Sequence, residues 1–204
     1  DKGFSFSLSA LIEETLGLFG KKGPSELAEL TTMVFGFIKN RMSHLLAEEG
    51  FSKDVIAAVV DISGDTIPDA WNRVRALESL KAQPDFEPLA VAFKRVGNII
   101  KKSGPAPHDR VLLKVDAALF EHQSEGDLYA AFQTAERKAT AAIGQGRFDQ
   151  ALREIAALRG SVDAFFDGVM VMADKKQLRE NRLALLGCIA GLFEKFADFS
   201  KIST

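Results

Sequence analysis

Apolar residues recur at the three- and four-residue spacing of an α-helix along almost the whole 204-residue chain, with helix-breaking residues between the runs. The composition agrees with this spacing. The chain has 27 alanines and 22 leucines, against 12 valines, 11 isoleucines and 7 threonines, which favour strands. Sixteen phenylalanines supply large apolar side chains without a polar group, which is typical of a packed core. We therefore predict an all-α fold.

Prolines, glycines and capping residues divide the first hundred residues into five predicted helices. The first ends near Gly20, and Pro24 opens the second, because proline fits the first helical turn. Gly50 ends the second helix, and Ser52 is a natural N-cap for the third. The predicted spans are 8–20, 24–50, 52–64, 68–82 and 85–102. Residues 1–102 are thus predicted to form a helical bundle region.

The densest cluster of breakers, Ser103 to Asp109, predicts a linker over residues 103–109 and a domain boundary there. A second helical bundle is predicted over residues 110–204. Ser124 and Asp127 have the spacing of a capping box, with aspartate where glutamate is usual. The predicted helices in this half cover about 110–121, 125–143, 148–159 and 175–197, with a short segment from Ser161 through Phe166 before the last.

Charge and cysteine content narrow the class of protein. The 26 basic and 28 acidic side chains give a net charge of −2, which is unlike a strongly basic nucleic-acid binder. Residues 1–103 and 104–204 each carry 13 basic and 14 acidic groups, so neither half is a basic module. The single cysteine, Cys188, cannot form an internal disulfide, and no apolar run approaches the roughly 18 residues of a membrane span. We expect a cytoplasmic protein without membrane contact, and the missing initial methionine suggests a piece of a longer one.

Patterns that carry catalysis or bind metal are largely absent. The sequence has neither a glycine-rich phosphate loop nor a GxSxG motif. His108 and Asp109 would suit a metal-dependent hydrolase only with partners elsewhere, and we interpret them as part of a solvated loop. Asp163 and Asp167 lie four residues apart on one helix face, which fits an acid/base pair but more simply a surface ion pair. We predict no catalytic residue and no metal site.

Two groups of basic residues are candidates for binding. Lys94, Arg95, Lys101 and Lys102 repeat at a spacing of seven on one predicted helix, although a solvated face with cations near the helix C-terminus explains them equally well. Lys175, Arg179 and Arg182 form a cationic stripe along the start of the last predicted helix. Arg182 points toward the apolar face of that helix, which favours an ion pair with Asp163 or Asp167 over a ligand phosphate.

Several stretches of the sequence belong together when they are read in chain order. They are Phe37–Arg41, Glu48–Ile56, Arg73–Leu77, Phe93–Ile99, Val162–Met172, Leu178–Leu186 and Ala197–Ile202. In this order they closely resemble the C-terminal part of the β subunit of bacterial glycyl-tRNA synthetases. The sequence departs from that family at Gly168, where a bulkier or charged residue is expected, and it lacks the DALR tetrapeptide after which the terminal domain is called.

The resemblance implies a function as well as a fold. It implies a ligase of two α and two β subunits, in which the α subunit handles glycine, ATP and Mg²⁺ and the β subunit binds tRNA-Gly. Residues 110–204 would be a DALR-like anticodon-binding domain, with no catalysis and no cofactor of its own. RNA contacts would then come from Lys175, Arg179, Asn181 and Arg182, and backbone contacts from Lys94, Arg95, Lys101 and Lys102. The alternative is an architectural role, in which the first helical part positions the terminal domain or contacts the other subunit.

Overall fold

The structure, a computed structural model, describes residues 6–18, 23–84, 86–102 and 114–203 and is helical in all four ranges. No strand occurs among these residues, so the all-α prediction is confirmed. The helices are α1 (Leu8–Leu18), α2 (Pro24–Glu48), α3 (Lys53–Ser63), α4 (Ile67–Lys81), α5 (Phe86–Lys102), α6 (Gln123–Gly144), α7 (Phe148–Ala156), α8 (Arg159–Gly168) and α9 (Lys176–Glu194).

The breakers act where the sequence predicts. Pro24 lies in the first turn of α2, and Gly50 follows the end of that helix with a φ of 93°. This left-handed conformation, which suits glycine, lets the N–H of Phe51 donate to the carbonyl of Leu46 at 3.2 Å. Gly146 has a φ of 67° and ends α6 in the same way. The C-terminal ends of α2 and α6 therefore follow from local backbone chemistry.

The structure differs from the predicted helices at several points in the second half. The helix predicted around 110–121 is absent from its described part, where a short 3₁₀ turn, Ala117–Leu119, is capped by the side chain of Asp116. Residues 110–113 lie outside the described part. The helix α7 ends at Ala156, and α8 begins at Arg159. Gly160 and Ser161, which were expected to separate the two helices, lie in the first turn of α8. The last helix is shorter than predicted, Lys176–Glu194.

The start of α6 also differs from the prediction, by two residues. His122, rather than Ser124, is the N-cap, and Glu125 completes the capping box in place of Asp127. The Nδ1 atom of His122 accepts from the N–H of Ser124 at 3.2 Å, while the carboxylate of Glu125 accepts from the N–H of His122 at 2.8 Å. An imidazole nitrogen thus does the work of the usual hydroxyl or carboxylate cap.

Buried side chains from both halves of the chain form one contiguous apolar cluster. Phe93 of α5 packs on Phe193 of α9, with ring centroids 3.9 Å apart, and on Phe199 at 4.8 Å. The end of the described chain returns to α3, where the N–H of Asp198 donates to the carbonyl of Ala58 at 2.9 Å. The predicted linker 103–109 lies outside the described residues, so the domain boundary at that point stays a prediction.

Candidate nucleic-acid interface

Lys175, the first cation of the predicted stripe, lies at the surface. It is the N-cap residue of α9, and its side chain is 75% exposed. Its Nζ atom is 2.8 Å from Oε1 of Glu121, which is exposed as well. Because an ion pair in water contributes at most about 1 kcal/mol, an incoming phosphate can replace Glu121 at low cost. Lys175 is therefore well placed to bind an anion.

Arg179, one turn further along α9, is half-buried. Its Nη1 atom donates to the carbonyl oxygen of Ala173 at 2.8 Å, which ties the helix to the loop between α8 and α9. A guanidinium carries five donor hydrogens in a rigid fork, so this bond uses only part of its capacity. Arg179 holds the loop and retains donors for a ligand.

Arg182 is buried, and its ion pair is intramolecular, as the sequence favours. The partner, however, is Glu125 of α6, because Nε of Arg182 lies 2.8 Å from Oε1 of Glu125. The expected partners do not reach it: Asp163 pairs with Arg159 on its own helix at 3.5 Å, and Asp167 is exposed. The Nη1 atom of Arg182 also donates to the carbonyl of Met170 at 3.0 Å. This side chain joins α6, α9 and the preceding loop.

Glu125 accepts hydrogen bonds on both of its oxygens. The N–H groups of Glu121 and His122 donate to Oε2 at 2.9 and 2.8 Å, in addition to the bonds from Arg182. Burial by itself raises the pKa of Glu125. The hydrogen bond from Arg182 and those from the two backbone N–H groups outweigh burial and lower this pKa below its ordinary value. Glu125 is therefore a fully ionised, fully bonded carboxylate in the core.

Asn181, the remaining predicted contact on α9, is also buried. Its Oδ1 atom accepts from the N–H of Asp116 at 2.8 Å, and its Nδ2 atom donates to the carbonyl of Asp116 at 2.9 Å. The side-chain amide bonds both the N–H and the carbonyl of Asp116, as the backbone of a neighbouring strand would, and it fixes the segment before the 3₁₀ turn. RNA contact by Asn181 or Arg182 stays a prediction, and it would require these internal bonds to break.

The cations of α5 lie on a different part of the surface. Arg95 is exposed and stacks its guanidinium 4.1 Å from the ring centroid of Phe166 in α8. Lys94 and Lys101 line a narrow groove between α5 and the end of α9, whose other side carries Glu194 and Asp198. Lys101 and Lys102 occupy the last turn of α5, where the helix dipole favours cations.

Lys175 and the α5 pair Lys94 and Lys101 lie near opposite ends of α9. Lys175 precedes its first residue, whereas Lys94 and Lys101 line a groove with Phe193 and Glu194 at its last turn. At 1.5 Å per residue, Lys176–Glu194 spans about 27 Å. Lys175 and this lysine pair therefore lie on two separate surfaces, whereas Arg95 packs on Phe166 of α8.

Arg73 has a structural role that no sequence pattern indicated. Arg73 of α4 is buried and donates from Nη1 to the carbonyls of Lys195 and Phe196, at 2.8 and 2.9 Å, beyond the end of α9. Its guanidinium also lies 4.8 Å from the ring centroid of Phe148. The only sequence signal is its position between Ala70 and Leu77 on the buried face of α4.

His122 explains the unexpected glycine at position 168. A Cβ atom on Gly168 would lie 2.5 Å from Cε1 of His122, which is too close for two carbon atoms. The imidazole that caps α6 thus occupies the space that a side chain at position 168 would need. Neither residue indicates the other in the sequence, because 46 positions separate them.

Membrane-spanning helices and clustered metal ligands are both absent from the described residues. No helix in the described ranges is long and apolar enough to cross a membrane. The described histidine, cysteine, aspartate and glutamate side chains include no group of three or more that could hold a metal ion. His108 and Asp109 lie outside the described part of the chain.

Known proteins show the same resemblance along the chain. The sequence profile of the DALR anticodon binding domain matches residues 89–204. The chain is 52% identical over its full length to the glycine–tRNA ligase beta subunit of Desulfatibacillum aliphaticivorans, and 44% identical to that of Geobacter metallireducens. It is 40% identical over 99% of its length to the beta subunit of Desulforapulum autotrophicum. The chain spans less than a third of the length of these relatives, 29%, 28% and 29% respectively. The matched profile covers α5 from Leu89 and all the helices that follow, and the chain belongs to the DALR anticodon-binding domain family.

Proposed function

We propose that this chain is the tRNA-binding part of a glycine–tRNA ligase β subunit and that it contacts the anticodon arm of tRNA-Gly. The observation that carries the proposal is the family match over residues 89–204 together with whole-chain identity to several such β subunits. In this proposal the chain works in the cytoplasm within an α2β2 assembly. The α subunit carries out aminoacylation with ATP and Mg²⁺, and the present segment supplies RNA recognition only.

The start of α9 is the proposed contact with the anticodon loop. Lys175 exchanges Glu121 for a phosphate, and Arg179 adds donors from its half-buried guanidinium. Asn181 and Arg182 support this surface from beneath, since their bonds to Asp116 and Glu125 fix the segments on either side of it. The recognition of a splayed loop, whose bases are unstacked, suits such a small site.

The cations of α5 are the proposed contact with the stem. Lys101 and Lys102 are exposed at the end of α5, and Arg95 is held flat on Phe166. Because Lys101 lines the groove at the last turn of α9, and α9 is about 27 Å long, Lys101 and Lys175 can be occupied together only by an extended ligand. An RNA hairpin has this length and carries phosphates along its whole side. The expected affinity is modest, because the net charge of −2 gives no general attraction.

The test is a titration of the 204-residue chain with a tRNA-Gly transcript at several salt concentrations. Lys175→Gln should weaken binding and reduce the slope of log K against log salt by about one, the value for one lost phosphate contact. Lys138→Gln is the matched control, since Lys138 is also an exposed lysine paired with a glutamate, Glu154, but on α6. Binding that ignores substitutions in the anticodon would contradict the proposal.

An inter-subunit contact module is a second candidate, and one observation favours it. Large apolar side chains are exposed on the α1–α2 pair, among them Leu18, Met33 and Phe37. Exposed apolar groups of this kind are typical of protein interfaces. Under this reading, Phe37→Ser should reduce co-purification with the α subunit and leave tRNA affinity unchanged. The reverse result, with tRNA affinity lost, would exclude the module as the main role.

A further inference from the structure

The loop between α8 and α9 exposes two methionines that lie two residues apart. The chain is extended at Val169, with φ −129° and ψ 122°, and successive side chains alternate between the core and the solvent. Val169 and Val171 are buried, whereas Met170 and Met172 are 77% and 57% exposed. The two methionines therefore share the outer side of the loop and form an apolar surface.

Arg179 and Arg182, the two arginines of the predicted cationic stripe, hold this loop in place. Arg182 donates to the carbonyl of Met170 at 3.0 Å, and Arg179 donates to the carbonyl of Ala173 at 2.8 Å. Arg182 is itself fixed by Glu125. The backbone beneath the methionines is thus ordered before any ligand arrives, which removes part of the entropy cost of binding.

Positive charge adjoins the apolar surface on one side. Lys175 and Lys176 follow the loop after the exposed Asp174, with side chains 75% and 76% exposed. They pair at the surface with Glu121 at 2.8 Å and with Glu180 at 3.7 Å, and a phosphate can replace such exposed partners because each pair contributes at most about 1 kcal/mol. The first turn of α9 contains no acidic residue, and the positive end of the helix dipole lies there. A small apolar surface beside exposed cations is complementary to a flat base and its phosphate.

The size of the surface favours a base over a protein partner. A stable protein interface buries about 800 Å² on each side, which is far more than two methionine side chains provide. One unstacked base, in contrast, needs only a single apolar face, and the methionine sulfur makes favourable contacts with aromatic rings.

We propose that Met170 and Met172 form a platform for one unstacked base of a single-stranded RNA loop, with the adjoining phosphate bound by Lys175 and Lys176. This proposal rests on the RNA-binding function proposed above and adds its apolar contact. Arg179 and Arg182 keep the platform in position from below, through the carbonyls of the loop.

The test compares the Met170→Ala/Met172→Ala double variant with the unchanged chain. The probes are an anticodon stem-loop transcript of tRNA-Gly and a blunt duplex of the same stem, which has no unstacked base. We expect about tenfold weaker binding of the stem-loop, equivalent to about 1.4 kcal/mol. The salt slope should stay unchanged, because methionine carries no charge. Affinity for the duplex should not change.

Ile62→Ala is the matched control, since Ile62 is also an exposed apolar residue, at 42%, but lies on α3 and not in the α8–α9 loop. It should leave stem-loop affinity unchanged. Thermal unfolding of each variant checks that the fold is intact, and truncation of exposed methionines should have little effect on it.

Several outcomes would overturn the platform. One is unchanged stem-loop affinity in the double variant while the unchanged chain binds. Another is an equal loss for stem-loop and duplex, which indicates a contact that ignores unstacked bases. A third is intact RNA binding with lost association to the α subunit, which would identify the methionines as a protein contact. If the unchanged chain binds no RNA at all, the proposed function fails first and the platform fails with it.

Discussion

Glutamine in place of Glu125 removes one negative charge from the core and leaves its partner behind. The carboxylate accepts from Arg182 and from the N–H groups of Glu121 and His122, and both charged side chains are buried. Glutamine has the same size, but its side-chain amide carries one NH₂ donor where the carboxylate has a second oxygen acceptor. That NH₂ group must face either the guanidinium or the two backbone N–H groups, which are donors as well.

The expected loss follows from these contacts. Breaking a buried ion pair by removing one partner costs about 3–5 kcal/mol, since the remaining charge is uncompensated. Arg182 keeps its bond to the carbonyl of Met170, so relief by rotation of the side chain is limited. With a urea m-value of about 2–3 kcal/mol/M, the unfolding midpoint should fall by roughly 1–2.5 M.

Urea unfolding followed by far-ultraviolet circular dichroism measures this loss. Glu121→Gln is the matched control, because Glu121 pairs with Lys175 at the same 2.8 Å but in an exposed position. Its loss should stay below about 1 kcal/mol. A loss below about 1 kcal/mol for Glu125→Gln as well would refute the reasoning that burial makes the Glu125 pair strong.

The same pair predicts a dependence on pH. The pKa of Glu125 is lower in the folded state than in the unfolded chain, since its hydrogen bonds outweigh its burial. Its stabilising contribution is therefore complete above the ordinary glutamate pKa and is lost as the pH falls through the lowered folded value. The free energy of unfolding of Glu125→Gln should fall less steeply over that acidic range. Parallel curves for the two proteins would contradict the lowered pKa.

Three further perturbations are predicted. Gly168→Ala should lower the free energy of unfolding in urea by about 1 kcal/mol, because the added Cβ displaces the imidazole that caps α6. His122→Ser in the same chain should restore most of this free energy, and additive losses would exclude the contact. Arg73→Lys should lower the free energy of unfolding by about 2 kcal/mol or more, because it disturbs the bonds to the carbonyls of Lys195 and Phe196. The exposed Arg75→Lys should lower it little, and equal losses would contradict this reasoning. Asp54→Asn should lose about 1–2 kcal/mol at neutral pH. Burial alone raises the pKa of Asp54, but the bonds from Lys81 and Ser203 lower it, so the difference should disappear in acid, and a difference that persists there would argue against this shift.

Much of the helical pattern was predictable from local chemistry. Pro24 and Gly50 bound α2 because proline fits a first turn and glycine accepts a left-handed φ, and neither effect depends on distant residues. The start of α6 was predicted two residues late, since histidine is an uncommon cap and its side chain accepts from the N–H of Ser124. The segment 114–120 was predicted as helix, but Asn181, which is distant in sequence, supplies bonds that its backbone would otherwise make within a helix.

The predicted binding residues likewise depend in part on local spacing and in part on tertiary packing. Spacing alone predicts Lys175, Arg179 and Arg182 on one side of the last helix. In the structure Arg179 and Arg182 lie on α9, and Lys175 is its N-cap residue. Spacing cannot decide which of them meets solvent, because exposure depends on the helices packed against that side. Glu125 of α6 buries Arg182, while Lys175 extends beyond the end of the packed region.

The sequence by itself determined the helical fold class, the family resemblance and the candidate cations, since these depend on periodicity, breakers and residue identity. Only the tertiary structure decided the partners: Glu125 with Arg182, Asn181 with Asp116, and His122 over Gly168. The physical reason is that a buried polar group must find a bonding partner wherever the fold brings one, at any separation along the chain. The exposure of Met170 and Met172 was also decided by the tertiary structure, because packing sets which side chains of the loop face solvent.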